Sequence, residues 1–137
     1  MALPIRTAFP ALVAAQAAHS IEEYAFRLYD VLAPARAVSG MIGVEPSAGF
    51  IVSNSALILF GSWCYLARVR PARGAWRFYA WFWAVMETAN GLAHFALAFS
   101  AGGYFPGLFT APLLLAIGIG LIFGLRTGAA STGFDPE

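Results

Sequence analysis

The side chains that could do chemistry gather in two short stretches of this sequence. The first holds Gln16, His19, Glu22, Glu23 and Arg27; the second holds Glu87, Asn90 and His94. On a helix each residue turns the chain by about 100°. Glu22 and Glu23 then lie within one turn of His19, with Gln16 on the same face, and Asn90 and His94 share a face with Glu87. Two histidines with two or three glutamates make a nitrogen–oxygen donor set. Such a set suits iron, manganese or zinc, and does not suit copper(I), which prefers thiolate. His19, Glu22, Glu87 and His94 are the expected ligands of a divalent transition metal. Glu22 and Glu23 are the expected catalytic carboxylates, with Glu23 the expected general base. Because about 100° separates these neighbours, Glu23 serves nearly as well as ligand. Asn90, Arg27 and Gln16 are expected to orient the ligands from behind, with Thr110 a further candidate. The order His19-x-x-Glu22 is not the paired Glu-x-x-His of di-iron bundles, nor the His-Glu-x-x-His of zinc proteases. One metal or two are equally compatible with the residue count.

Any fold must position these groups in an unusually apolar chain. Of 137 residues, 60% are hydrophobic and 11% charged, and the mean hydropathy is +0.71. A disordered chain would be polar and charged. A nucleic-acid binder would carry a basic stripe, whereas here the net charge is +1 and lysine is absent. The single cysteine, Cys64, allows no internal disulfide. The composition points to an all-α integral membrane four-helix bundle forming a single domain over residues 1–137. A membrane-crossing helix needs about 20 mostly apolar residues. Four such segments are expected over roughly residues 7–32, 48–69, 75–100 and 107–125, with a small polar tail over 127–137. Ala33-Pro34 and Glu45-Pro46 bound the first break, with a weak signal for a short interfacial helix between Pro34 and Pro46. The arginine-rich turn Arg68–Gly74 makes the second break and Gly102–Gly107 the third. Ala15-Gln16-Ala17 resembles a signal-peptide cleavage site, but only Arg6 supplies positive charge ahead of it, so the segment reads as a retained helix.

With four crossings, Arg6, Arg68, Arg70, Arg73, Arg77 and Arg126 fall on one side, which the positive-inside rule makes cytoplasmic, with both termini. Trp76, Tyr79, Trp81 and Trp83 suit an aromatic belt there. The first and third segments then run the same way. At about 1.5 Å per residue, their polar stripes reach matching heights and can meet in one site. A lone carboxylate at that depth costs on the order of 3 kcal/mol. Arg27, four residues after Glu23, is spaced to pair with it. The others need protons or a metal cation. Ala116, Gly120 and Gly124 allow close helix packing, inside the bundle or in a homo-oligomer.

Two of these patterns coincide with a known family. His19-Ser20-Ile21-Glu22-Glu23 reads HxxEE, and Asn90-Gly91-Leu92-Ala93-His94 reads NxxxH, with Glu87 just before. The chain resembles the small four-helix membrane family named for its HXXEE motif. Gly103–Ala111 is similar to that family's connection into the last helix. The resemblance implies a membrane-bound metal-dependent enzyme, and it names no substrate.

Four classes of function follow. The first is a metal-dependent enzyme acting on a lipophilic molecule, the ion activating water, or dioxygen if it is iron. The second is a proton-coupled transporter or channel using the same buried groups. The third is a haem protein with His19 and His94 as axial ligands, which the surrounding carboxylates disfavour. A purely structural polar network ranks last, because two segments carry nearly the whole ionisable load. The expected partners are the lipid bilayer and a lipophilic small molecule, and no nucleic acid.

Overall fold

Long apolar runs punctuated by proline and glycine dictate helices, and the computed structural model describes residues 3–127. The order is α1 (Ile5–Ala25), α2 (Leu28–Val31), α3 (Ala33–Met41), α4 (Pro46–Cys64) continuing into a π-helical turn (Tyr65–Val69), α5 (Trp76–Ala101) and α6 (Ala111–Thr127). There is no strand among the described residues. The four long helices are α1, α4, α5 and α6. Helix α6 packs most extensively on α5 and also on α1. The polar tail read after Thr127 lies outside the described residues.

The first segment does not run unbroken to Leu32. Helix α1 ends at Ala25, and Arg27 takes a left-handed conformation with φ of 58° before α2 restarts. That break redirects Arg27. Its Nε donates to Asp30 at 2.6 Å on the exposed surface, so the expected pairing with Glu23 is not made. The weak helix signal after Pro34 corresponds to α3. There Ser39 lies against Gly49 of α4, so closely that a side chain at position 49 would collide with it. Arg36 is exposed and reaches only the Asp30 carbonyl, at 3.1 Å. Arg36→Ala is therefore expected to move stability by no more than about 0.5 kcal/mol, read as thermal unfolding beside wild type.

Apolar packing brackets the polar residues from both ends. Phe9, Leu12, Trp83, Leu114, Leu121 and Leu125 form the larger cluster, built from the start of α1, the start of α5 and most of α6. Leu28, Tyr29 and Phe50, with Leu32 and Phe105 against them, form the smaller cluster. Trp83 is fully buried in the larger one, so it is a core residue and not part of a belt. Gly120 and Gly124 also face inward. The Gly120 carbonyl accepts from the Leu3 N–H at 3.2 Å, and Gly124 abuts the Leu3 carbonyl. Their close packing is within the chain, while Ala116 is exposed.

Among the described residues one helical stretch, Pro46–Val69, is long and apolar enough to cross a membrane, and α6 is apolar but shorter. Helices α1 and α5 have the length, 21 and 26 residues. Their hydropathy is lowered by the polar residues they bring to the site.

Candidate metal centre

Helices α1 and α5 bring His19, Glu23 and His94 together in the interior. All three are buried. His19 and His94 meet edge to face with centroids 4.5 Å apart, and their Nε2 atoms are 3.1 Å apart. Glu23 Oε1 lies 3.4 Å from His19 Nε2 and 3.2 Å from His94 Nε2. One donor atom from each residue thus converges within 4.8 Å, a group that neither Glu22 nor Glu87 joins. Bonds of about 2.0–2.1 Å to a tetrahedral ion place donors about 3.3 Å from one another. The observed triangle has that size. Two histidines and one carboxylate on one side of an ion also form the facial set of non-haem iron sites.

The tautomer of His19 follows from its neighbours. Thr110 has one hydroxyl proton, and its closest acceptor is Glu22 Oε2 at 2.6 Å. Thr110 Oγ1 must then accept from His19 Nδ1, 2.7 Å away. With Nδ1 protonated, His19 Nε2 turns a bare lone pair toward the triangle. His94 Nδ1 is buried and finds no partner among the described residues.

Glu22 performs a different task from the one its place in HxxEE suggests. It accepts from Tyr104 Oη at 2.7 Å, from Phe109 N at 3.0 Å and from Thr110 N at 2.8 Å, besides the Thr110 hydroxyl. The two backbone N–H groups lie just ahead of α6, in the connection that leads into it. Hydrogen bonds to a charged group contribute about 1.5–3 kcal/mol each. A carboxylate so engaged is not free to ligate a metal, so Glu22 ties the 102–110 connection across the histidines. Burial, and then the adjoining Glu22 carboxylate, push the Tyr104 hydroxyl above its ordinary range. Tyr104 therefore stays a hydrogen-bond donor at neutral pH. Phe26 packs on Tyr104 and Phe109 from outside.

Glu87 also departs from the expected ligand set. It is fully buried. Its Oε2 receives a long bond of 3.4 Å from Asn90, and its Oε1 finds no partner among the described residues. Asn90 reaches Gln16 at 3.3 Å, Gln16 donates to Ser20 at 3.2 Å, and Ser20 donates to Asn54 of α4 at 2.7 Å. Asn90 and Gln16 thus support Glu87 and the α1–α4–α5 contact, and among the described residues neither hydrogen-bonds to a histidine. Beside them is a cavity of about 520 Å³ lined by residues from α1 to α5, with Glu23, Glu87 and Asn90 among its polar lining. Small-molecule sites occupy about 300–1,000 Å³.

Sequence reasoning missed Tyr104 and Gly107. Gly107 has φ of 95°, and a Cβ there would lie 2.5 Å from His94 Nδ1 and 2.7 Å from His19 Cε1. The cluster Gly102-Gly103-Tyr104-Phe105-Pro106-Gly107 signals a tight connection above the site, but not that Gly107 lies directly against the histidine rings.

An all-helical chain with this His/Glu centre belongs to a definable class. The family described as "Protein of unknown function with HXXEE motif" matches residues 10–121. The chain belongs to that family, and its HxxEE and NxxxH motifs supply the three residues of the centre, His19, Glu23 and His94. Comparison with curated proteins and with solved structures finds no match.

The Thr110 hydroxyl offers a test of how His19 is held. Thr110→Val removes the link to Glu22 and is expected to weaken metal affinity about 10- to 100-fold. Thr110→Ser should restore it. Chelator-competition titration reads the difference, and unchanged affinity in the valine variant would deny Thr110 this positioning role.

Proposed function

We propose that this protein is a membrane-embedded metal-dependent enzyme whose ion is held by His19, Glu23 and His94. The observation that carries the reading is the convergence of two Nε2 atoms and a carboxylate oxygen at 3.1–3.4 Å in a buried interior. Three groups that accept when unprotonated do not gather in an apolar interior without a cation or shared protons between them. Iron, zinc or manganese suits this donor set, and when bound it supplies Lewis acidity toward water or, for iron, dioxygen chemistry. The chain's own part is to exclude water and fix geometry. Glu22 and Thr110 hold His19 in its ligating tautomer, and the 102–110 connection covers the rings. Glu23, expected to be the base, serves as ligand, and Glu87 becomes the carboxylate of the adjoining cavity that lies outside the triad.

The membrane reading is supported by an inverted distribution of polarity. Leu59, Phe78, Leu92, Phe99 and Phe109 are well exposed, while His19, Glu23, Glu87 and His94 are buried. Apolar surface on this scale calls for lipid or a partner. In this reading α1, α4, α5 and α6 cross the bilayer, and the arginine-bearing end, with both termini, is cytoplasmic. The substrate is a lipophilic molecule arriving from the membrane.

The test is elemental analysis by inductively coupled plasma mass spectrometry of detergent-purified protein, prepared without an affinity-tag metal, beside a His19→Ala/His94→Ala variant. Metal near one ion per chain, lost in the variant, supports the proposal. A metal-free wild type from metal-replete cells would overturn it, and would leave the His94–Glu23 contact to serve proton transfer.

A further inference from the structure

The cavity beside the centre is mostly apolar, with one chemically incomplete group. Leu28, Leu32, Val38, Phe50, Leu57 and Met86 supply hydrocarbon along it. At its inner side the amide groups are already engaged. Gln16 serves Asn90 and Ser20, and Asn54 serves Ser20 and the Phe50 carbonyl. Glu87 Oε1 is the buried side-chain atom of the cavity lining that finds no partner among the described residues. A buried polar atom left unsatisfied is destabilising, because it has lost its hydrogen bonds to water and gained none in return. Such an atom on a residue that lines a mostly apolar cavity is what a ligand's polar group would complete.

We infer that this cavity binds a single-chain amphiphile by its polar end. The head donates a hydrogen bond to Glu87 Oε1, and the hydrocarbon lies along the α3–α4 side. The head is an amine or a hydroxyl, because both donate. A carboxylate or phosphate head would meet Glu87 and Glu23 together, with no cation among the cavity-lining residues to offset them. Glu23 lines the same cavity, so the bound head is held beside the metal triad. As a substrate subsite this rests on the enzyme reading above; as a ligand site it does not.

Native mass spectrometry of the full-length chain released from detergent micelles tests it, with octylamine, 1-octanol and octanoate as probes. Octylamine and 1-octanol should bind one per chain, with octanoate at least tenfold weaker. Glu87→Leu should weaken both favoured probes at least tenfold. Glu87→Gln keeps the shape and an acceptor oxygen but removes the carboxylate charge, so it should retain 1-octanol while weakening octylamine; it carries the test if the leucine variant fails to fold. Ser53→Phe, which fills the cavity from α4, should weaken all three probes. Octanoate binding as tightly as octylamine, or Glu87 variants binding like wild type, would overturn the inference. Elemental analysis of the same samples separates the two claims. Metal-bearing protein without head-group preference overturns this subsite alone, whereas selective binding by metal-free protein upholds the subsite and removes the metal reading.

Discussion

The His19→Ala/His94→Ala variant is expected to lose essentially all bound metal, against about one ion per chain in wild type, while remaining helical and inserted. The expectation follows from what remains after both rings are removed. Glu23 alone offers one carboxylate, and a buried site with one donor cannot compete with water and buffer for a divalent ion. Apparent binding free energies of structural zinc sites are on the order of 10–16 kcal/mol, so removing two of three protein donors takes affinity out of the measurable range. The variant also leaves space beneath the 102–110 connection. Truncating large buried side chains costs about 2–5 kcal/mol each, so thermal stability will fall. Circular dichroism and size-exclusion elution therefore accompany the metal measurement. A helical variant without metal supports the ligand assignment, and one that keeps its ion refutes it. Arg36→Ala, distant from the site, is the reference for handling losses.

The HxxEE spacing determines that Glu22 and Glu23 both lie within a turn of His19, but not which of them faces it. Adjacent residues point about 100° apart, and the choice rests on what each direction meets. Glu23 meets His94 of α5, while Glu22 meets the N–H groups just ahead of α6. Neither neighbour is local in sequence. The same reasoning explains Glu87. Its helical face was legible, yet it lies seven residues before His94, nearly two turns away, and faces the cavity. Arg27 illustrates the limit of spacing rules. The i+4 pairing with Glu23 presupposes a continuous helix, and a left-handed residue at Arg27 itself breaks it.

The long helices were legible because apolar runs ended by Pro and Gly leave few alternatives. The break after Ala25 was not, since the residues on either side, Tyr24-Ala25-Phe26 and Leu28-Tyr29, continue the apolar pattern. Trp83 was misread because an indole near a helix start fits an interfacial belt and a core equally well. Here it packs against Phe9 at 6.1 Å between ring centroids. Composition could not distinguish these roles, because burial depends on which helix lies opposite.

Gly107→Ala is expected to lower metal occupancy at least tenfold without unfolding the bundle, and the argument rests on two separate features of one residue. Its φ of 95° lies where side chains are strained, and a Cβ would stand 2.5 Å from both Cε1 and Nδ1 of His94. Real Cβ atoms do not approach that closely, so either the connection lifts or the rings move. The rings are wedged between helices and have little room, so the connection should lift. Lifting it withdraws Thr110 from His19 and the Phe109 and Thr110 N–H groups from Glu22, freeing His19 to adopt the other tautomer. Gly103→Ala in the same connection is the control, because its added Cβ meets nothing within 4 Å. Gly103→Ala should bind metal like wild type. If Gly107→Ala does so too, the connection does not hold the centre. Loss in both variants would point to the connection's flexibility, not to its contact with the histidines. Loss confined to Gly107→Ala, with circular dichroism unchanged, would establish that the motif residues on α1 and α5 work only under a cover supplied by the 102–110 connection.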